Sequence, residues 1–125
     1  MIIDAELMFS NKQAVTATAA STNEIDLGAA GDAIGQELTI HVIVDTAFDK
    51  LTSLTVAVQT SASSGSGMAT VVTGPAIALA SLVKGAEIFT VRVPKGLKRY
   101  VQLYYTVAGT APDNGKITAF ASKDL

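Results

Sequence analysis

The chain contains no cysteine and no tryptophan. Without thiols there is neither a disulfide framework nor a thiolate zinc site, and nothing marks a true immunoglobulin core. Charge is scarce too: 16 % of residues are charged, against roughly 25 % in an ordinary soluble domain. Lys and Arg number 9 against 11 Asp and Glu, a net charge of -2, so the basic surplus that phosphate binding requires is missing and nucleic acid is not the expected main partner. No apolar run approaches the ~18 residues of a membrane span. Met1-Ile2-Ile3-Asp4-Ala5-Glu6-Leu7 carries two acids and no basic n-region, unlike a secretory signal. The expectation is one domain of 125 residues, long enough to bury a core, in a cytosol-like compartment unless cell lysis releases it. A surface this weakly charged suggests that part of it is spent on a partner; an ordinary Ala-rich domain is the plainer reading of the same numbers.

What is present is β periodicity. From Tyr100, Val101, Leu103, Tyr105 and Val107 point one way, and Tyr100, Gln102, Tyr104 and Thr106 the other, the mark of a strand with one buried face. Pro94-Lys95-Gly96 opens this run as a turn, and it is the expected central strand. Residues 37–46 repeat the pattern, with Leu38, Ile40, Val42 and Val44 on one face and Thr39, His41, Ile43 and Asp45 on the other. Residues 51–60 place Leu54, Val56 and Val58 inward. Residues 13–20, 24–27, 69–73, 87–93 and 116–122 read as shorter strands, the 24–27 strand at an edge guarded by its acids. In 87–93, Phe89, Val91 and Val93 are expected opposite Ile88, Thr90 and Arg92. Residues 1–11 read as an N-terminal arm or a first strand, with Met8 and Phe9 as the side chains that bury or dock. Ser61-Ala62-Ser63-Ser64-Gly65-Ser66-Gly67 reads as a mobile exposed loop, and 77–85 as one helical turn closed by Gly85. Asn114-Gly115 signals a tight turn, which would pair the last strand with the central one. The sum is an all-β, jelly-roll-like β-sandwich of about eight short antiparallel strands in a single domain, 1–125. An immunoglobulin-like topology fits the pattern about as well.

Catalytic chemistry is hard to find. Gly28, Gly31 and Gly35 do not have the spacing of a phosphate cradle. The single histidine, His41, has Asp45 on its face, but ~13 Å away along a strand rising ~3.3 Å per residue, too far for a hydrogen bond. It reads as a strand histidine in a polar face or a subunit contact. Asp45 and Asp49 flank one connection, yet calcium asks for six or more oxygens. The dispersed acids single out no glycosidase pair. Neither an enzyme nor a cofactor is expected.

The informative polar feature is basic. Arg92, Lys95, Lys98 and Arg99 hold four of the nine positive charges within eight residues. Next to Tyr100 and Tyr104, they form a candidate docking surface for an acidic partner; long side chains snorkelling over a solvated turn are the alternative.

Several stretches, taken in order, resemble one family. They are Asp4-Ala5-Glu6-Leu7-Met8-Phe9-Ser10, Ala17-Thr18-Ala19-Ala20-Ser21-Thr22-Asn23-Glu24-Ile25-Asp26-Leu27-Gly28, and Val56-Ala57-Val58-Gln59-Thr60-Ser61. Gly96-Leu97-Lys98-Arg99-Tyr100-Val101-Gln102-Leu103-Tyr104-Tyr105-Thr106-Val107 and Gly115-Lys116-Ile117-Thr118-Ala119-Phe120 complete the set. Together the chain is similar to the Bbp16-like small head proteins of the Bordetella-phage cement type. The resemblance implies a jelly-roll protein on the outside of a tailed-phage head, bridging major capsid protein subunits as a cement or decoration protein. It implies a homo-oligomer, a dimer before a trimer, assembled in the bacterial host cytoplasm, with neither membrane nor nucleic acid as partner. The featureless 61–67 loop departs from larger loops in relatives. Competing expectations are a tail or fibre adaptor of the same β class, and a carbohydrate-binding β-sandwich using Tyr100, Tyr104 and Asp45.

Overall fold

A strand that alternates apolar and polar residues leaves one face to be covered, and a second sheet of the same kind covers it most simply. The computed structural model describes residues 8–26, 38–92 and 98–123. They form two antiparallel sheets around one shared core. The first runs β1 (Met8–Ala14), β10 (Lys116–Lys123), β4 (Leu38–Thr46), β8 (Glu87–Arg92). In the second, β2 (Ala19–Ala20) and β3 (Ile25–Asp26) share one flank of β9 (Tyr100–Gly109). On the other flank lies β5 (Leu51–Ser61), which pairs onward with β6 (Ala69–Thr73) and β7 (Ile77–Ala78). Counting β2 with β3 and β6 with β7 as interrupted strands leaves eight, four in each sheet. The chain alternates between sheets at nearly every connection, which is the wrapped Greek-key path of a jelly roll. The helical element among the described residues is one 3-10 turn, Leu79–Ser81.

The three long alternating runs form as their periodicity predicts. Val101, Leu103 and Tyr105 are buried on β9, Ile40, Val42 and Val44 on β4, and Leu54, Val56 and Val58 on β5, joined by Phe9, Val15 and Ile117. β9 is central, with Tyr105 opposite Val56 on one side and Ala19 on the other.

Four expectations need correction. The last strand does not pair with β9: β10 lies between β1 and β4 in the opposite sheet. Residues 110–115 are a crossing between sheets rather than a hairpin, because β9 and β10 each carry an inward apolar row and the rows bury each other. The proposed strand over 13–20 is two pieces. β1 runs only to Ala14, after Lys12 takes a left-handed φ of 51°; Val15 turns inward, its N–H bonded to the Gly115 carbonyl; and only Ala19–Ala20 pairs again. In β8 the strict alternation fails, since Ile88 and Phe89 are both buried. The register slips between Val42 and Ile43 of β4, so Ile88 is the extra residue of a bulge. The 61–67 tract is exposed from Ala62 on, but it is a hydrogen-bonded turn rather than a featureless loop. Buried Ser61 accepts from the Ser63 N–H at 3.0 Å and donates to the Ser66 carbonyl. The glycine-rich 28–35 loop, the Pro94–Gly96 turn and most of the proposed N-terminal arm lie outside the described residues.

One polar chain crosses the core. The Tyr105 hydroxyl meets the Ser10 hydroxyl at 2.8 Å, and Ser10 donates to Gln13 Oε1 at 2.6 Å. Gln13 then grips the corner leading to the second sheet: its Oε1 accepts the Thr22 N–H at 2.8 Å, and its Nε2 donates to the Ala20 carbonyl at 3.0 Å. Ser21 keeps the interrupted strand attached to β9, donating its N–H to the Leu103 carbonyl at 2.7 Å and accepting the Leu103 N–H on its hydroxyl at 3.0 Å.

Two stability measurements check this core. Leu103→Ala is expected to cost about 2–5 kcal/mol in urea unfolding; a loss below roughly 0.5 kcal/mol would mean the β9 faces are reversed. Burial pushes the Tyr105 phenol well above its ordinary range, against a smaller opposing pull from its Ser10 hydrogen bond. The unfolded chain releases this proton at ~10 and the folded chain holds it, so stability from this group is intact below that pH. It falls as pH rises further, by up to about 1.4 kcal/mol per pH unit. Tyr105→Phe should lower stability at neutral pH by about 0.5–1.5 kcal/mol and abolish that alkaline slope. An unchanged slope in the variant would assign the alkaline loss elsewhere.

Candidate docking surface

At the start of β9, Tyr100 lies between Ser61 of β5 and Asp26 of β3. Thr60, itself buried, fastens the approach to this strand: its hydroxyl accepts the Lys98 N–H at 2.7 Å and donates to the Tyr100 carbonyl at 2.9 Å. Arg99 then reaches across to Asp26 with both arms of its guanidinium, Nε to Oδ1 at 2.8 Å and the second nitrogen to Oδ2 at 3.0 Å. The guanidinium carbon also sits 5.1 Å from the centre of the Tyr100 ring, a cation–π distance. Asp26 raises the Arg99 pKa first by hydrogen bonding and then by charge. Beside this pair, Glu24 holds the tip of the β5–β6 turn, accepting from the Ser64 hydroxyl at 2.7 Å and the Gly65 N–H at 2.9 Å.

The proposed basic cluster is therefore distributed. Lys98, Arg99 and Tyr100 share one end of the second sheet, with the Arg99 charge matched by Asp26. Tyr104 lies further along the outer face of β9. Arg92 ends β8, an edge of the first sheet, opposite Thr39. Lys95 is outside the described residues.

Periodicity put Tyr100, Gln102, Tyr104 and Thr106 on one face of β9, but not the residues of β2, β5 and β6 that lie beside them there. Tyr104 stands between Ala20 and Ala57, and Gln102 stands opposite Gln59. Gln102 donates to Gln59 at 2.7 Å and Gln59 to Thr70 at 3.3 Å, a ladder of side chains over β9, β5 and β6. Thr55, Thr73 and Thr106 continue this face without a charge.

The outer face of the first sheet is different. Phe120 is buried there although its side chain points away from the core, in a cross-strand row with His41 and Met8. His41 stacks on it, ring centres 5.3 Å apart and planes 27° apart. The histidine Nδ1 pairs with Glu87 Oε1 at 2.8 Å, and the Thr90 hydroxyl donates to the same oxygen. Thr90 before His41 holds the Glu87 pKa below the ordinary carboxylate range. The hydroxyl thus faces the carboxylate rather than the imidazole, the reverse of a nucleophile relay. A groove of about 400 Å³ alongside is lined by Ile43, Asp45, Lys84, Thr118 and Phe120. Both Asp49 oxygens are engaged by the crossing that follows β9: Oδ1 takes the Asp113 and Asn114 N–H groups, and Oδ2 the Asn114 side-chain amide. Among the described residues, no three His, Cys, Asp or Glu side chains gather as a metal set.

The pairing of Arg99 has a measurable consequence. Asp26→Asn is expected to change stability by less than about 1 kcal/mol, as exposed ion pairs do, while freeing the guanidinium for an acidic partner. Tighter retention on an anionic resin at low salt, lost as salt rises, checks it; unchanged retention would mean Arg99 is held by something other than Asp26.

Comparison with known proteins identifies a family. No curated protein matches the chain. The Bbp16 family model matches residues 9–121, which runs from Phe9 in β1 to Ala121 in β10 and so takes in both sheets. On that match, the chain belongs to the Bbp16 family.

Proposed function

We propose that this protein is a capsid cement or decoration protein. It binds the outside of a tailed-phage head and adds buried area across the seams between major capsid subunits. Membership of the Bbp16 family suggests a phage-related structural protein, and the observation that carries the finer reading is the outer face of the second sheet. That face is uncharged from Gln102 to Thr106, and its glutamines are already tied to one another. It can dock against protein with little side-chain ordering to lose. A cement needs broad surfaces and no active site, and many copies on one shell make modest single affinities sufficient. We assign the same chain a homo-oligomeric state, a dimer first, and no catalytic role.

Adding purified protein to heads that lack it tests the reading. Saturable, stoichiometric binding with higher resistance to heat and salt is expected; full occupancy with no gain in resistance would sink the cement role, and binding to tails instead of heads would make it an adaptor. Lys98→Glu with Arg99→Glu should weaken head binding by about tenfold or more at low salt while thermal unfolding moves little. Unchanged binding would remove these two residues from the contact.

A further inference from the structure

The crossing between β9 and β10 contains Asn114-Gly115. Asn-Gly is chemically the most labile of asparagine dipeptides, because a glycine amide nitrogen meets no side-chain hindrance on its way to the asparagine Cγ. The fold demands the glycine. Its φ is +145°, and a Cβ there would stand 2.3 Å from the Phe48 ring. The asparagine is also engaged. Its Nδ2 donates to Asp49 Oδ2 at 2.9 Å, its backbone N–H to Asp49 Oδ1 at 3.1 Å, and the Asp113 N–H to that same Oδ1 at 2.8 Å. Beyond it, the Gly115 carbonyl accepts the Val15 N–H at 3.0 Å. Asp113 is held in turn by an ion pair with Lys50.

We propose that Asn114 is a site of spontaneous covalent modification, deamidation, and that the Asp49 clamp sets its rate. In the reaction the deprotonated Gly115 nitrogen attacks Asn114 Cγ, the Cγ–Nδ2 bond breaks, and the amide nitrogen leaves as ammonia after taking up a proton. The succinimide so formed adds one water at either of its two carbonyls, giving aspartate or isoaspartate. No oxidant or further reactant enters. The clamp opposes the first step, since Cγ cannot swing onto the Gly115 nitrogen while Nδ2 is bonded to Asp49 and the preceding peptide is fixed by Oδ1. The product undoes the corner. A carboxylate replaces the amide donor and faces Asp49, and isoaspartate inserts an extra backbone atom next to Gly115, whose surroundings Phe48 already crowds. Ammonia loss at this position therefore loosens the tie between the two sheets, and the clamp acts as a brake on ageing of the fold.

The test is peptide mapping that separates aspartate from isoaspartate after incubation of the intact chain at mildly alkaline pH. Asn11 and Asn23, followed by Lys12 and Glu24, serve as internal references. In the native protein Asn114 should be modified at least about tenfold more slowly than in the same chain unfolded in urea, the protection that a clamp of a few hydrogen bonds gives. Asp49→Ser keeps a short acceptor for the backbone N–H groups and loses the one for the side-chain amide; in the folded variant the Asn114 rate should rise towards the urea value. Equal native and urea rates would overturn the proposal, as would a folded Asp49→Ser variant that ages no faster than wild type. Should that variant fail to fold, hydrogen exchange in the wild type decides. Asp113 and Asn114 amides protected to the same degree as deamidation is slowed support the brake, and unprotected amides refute it.

Discussion

A hydroxyl buried in the middle of an apolar core governs how this sandwich is put together. Left without a partner, the Tyr105 phenol would carry a desolvation cost of about 1–3 kcal/mol, so the opposing sheet must present an acceptor at one place. Ser10 supplies it, and Ser10 can do so only because β1 is irregular there, with register shifts on either side of it against β10. The distorted strand is thus the means by which one sheet is registered on the other. Gln13 extends the same chain into the corner towards β2. One relay consequently fixes sheet spacing, the path of the first crossing and the position of β9. Among the described residues no buried side-chain nitrogen or oxygen lacks a partner, which is the condition under which a polar core specifies a structure instead of weakening it.

Period-two alternation carried β4, β5 and β9 because all three are long and have one face fully covered. Where the sequence misled, the cause was non-local. A bulge such as that at Ile88 depends on how β8 meets β4, and no residue type announces it. The Asn114-Gly115 pair looks like a hairpin turn in isolation. Whether the next strand folds back beside β9 or crosses over depends on where the apolar rows of β9 and β10 find cover. Ala and Thr in residues 13–20 satisfy β preference equally in a strand or a corner, so composition there had little to say.

The docking surface was partly legible for the same reason. The clustering of Lys98 and Arg99 next to Tyr100 is a matter of adjacency in the chain and survives folding. That Asp26 comes to lie beside them follows from β3 pairing with β9, a contact between residues 73 positions apart. A row of positive residues in sequence becomes, in space, a mixed-charge end of the sheet. Phe120 is the converse: an aromatic on an outward position of β10 suggests exposure, yet it is buried under neighbours that include the stacked His41.

The two outer faces then invite different kinds of contact. Gln102, Gln59 and Thr70 on the β9–β5–β6 face are bonded to one another, so a partner covering these three has few of their rotamers left to order, one of the terms that usually erode affinity. The opposite face already uses its apolar residue against His41 and its carboxylate against Thr90 and His41, and a partner there would have to compete with bonds in place. A protein that must lie flat on a lattice in many copies gains most from the first kind of surface, where each contact is weak, reproducible and independent of pH near neutrality. Under the proposed cement role, the charged end around Arg99 and Asp26 would orient the molecule and the uncharged ladder would supply the contact area.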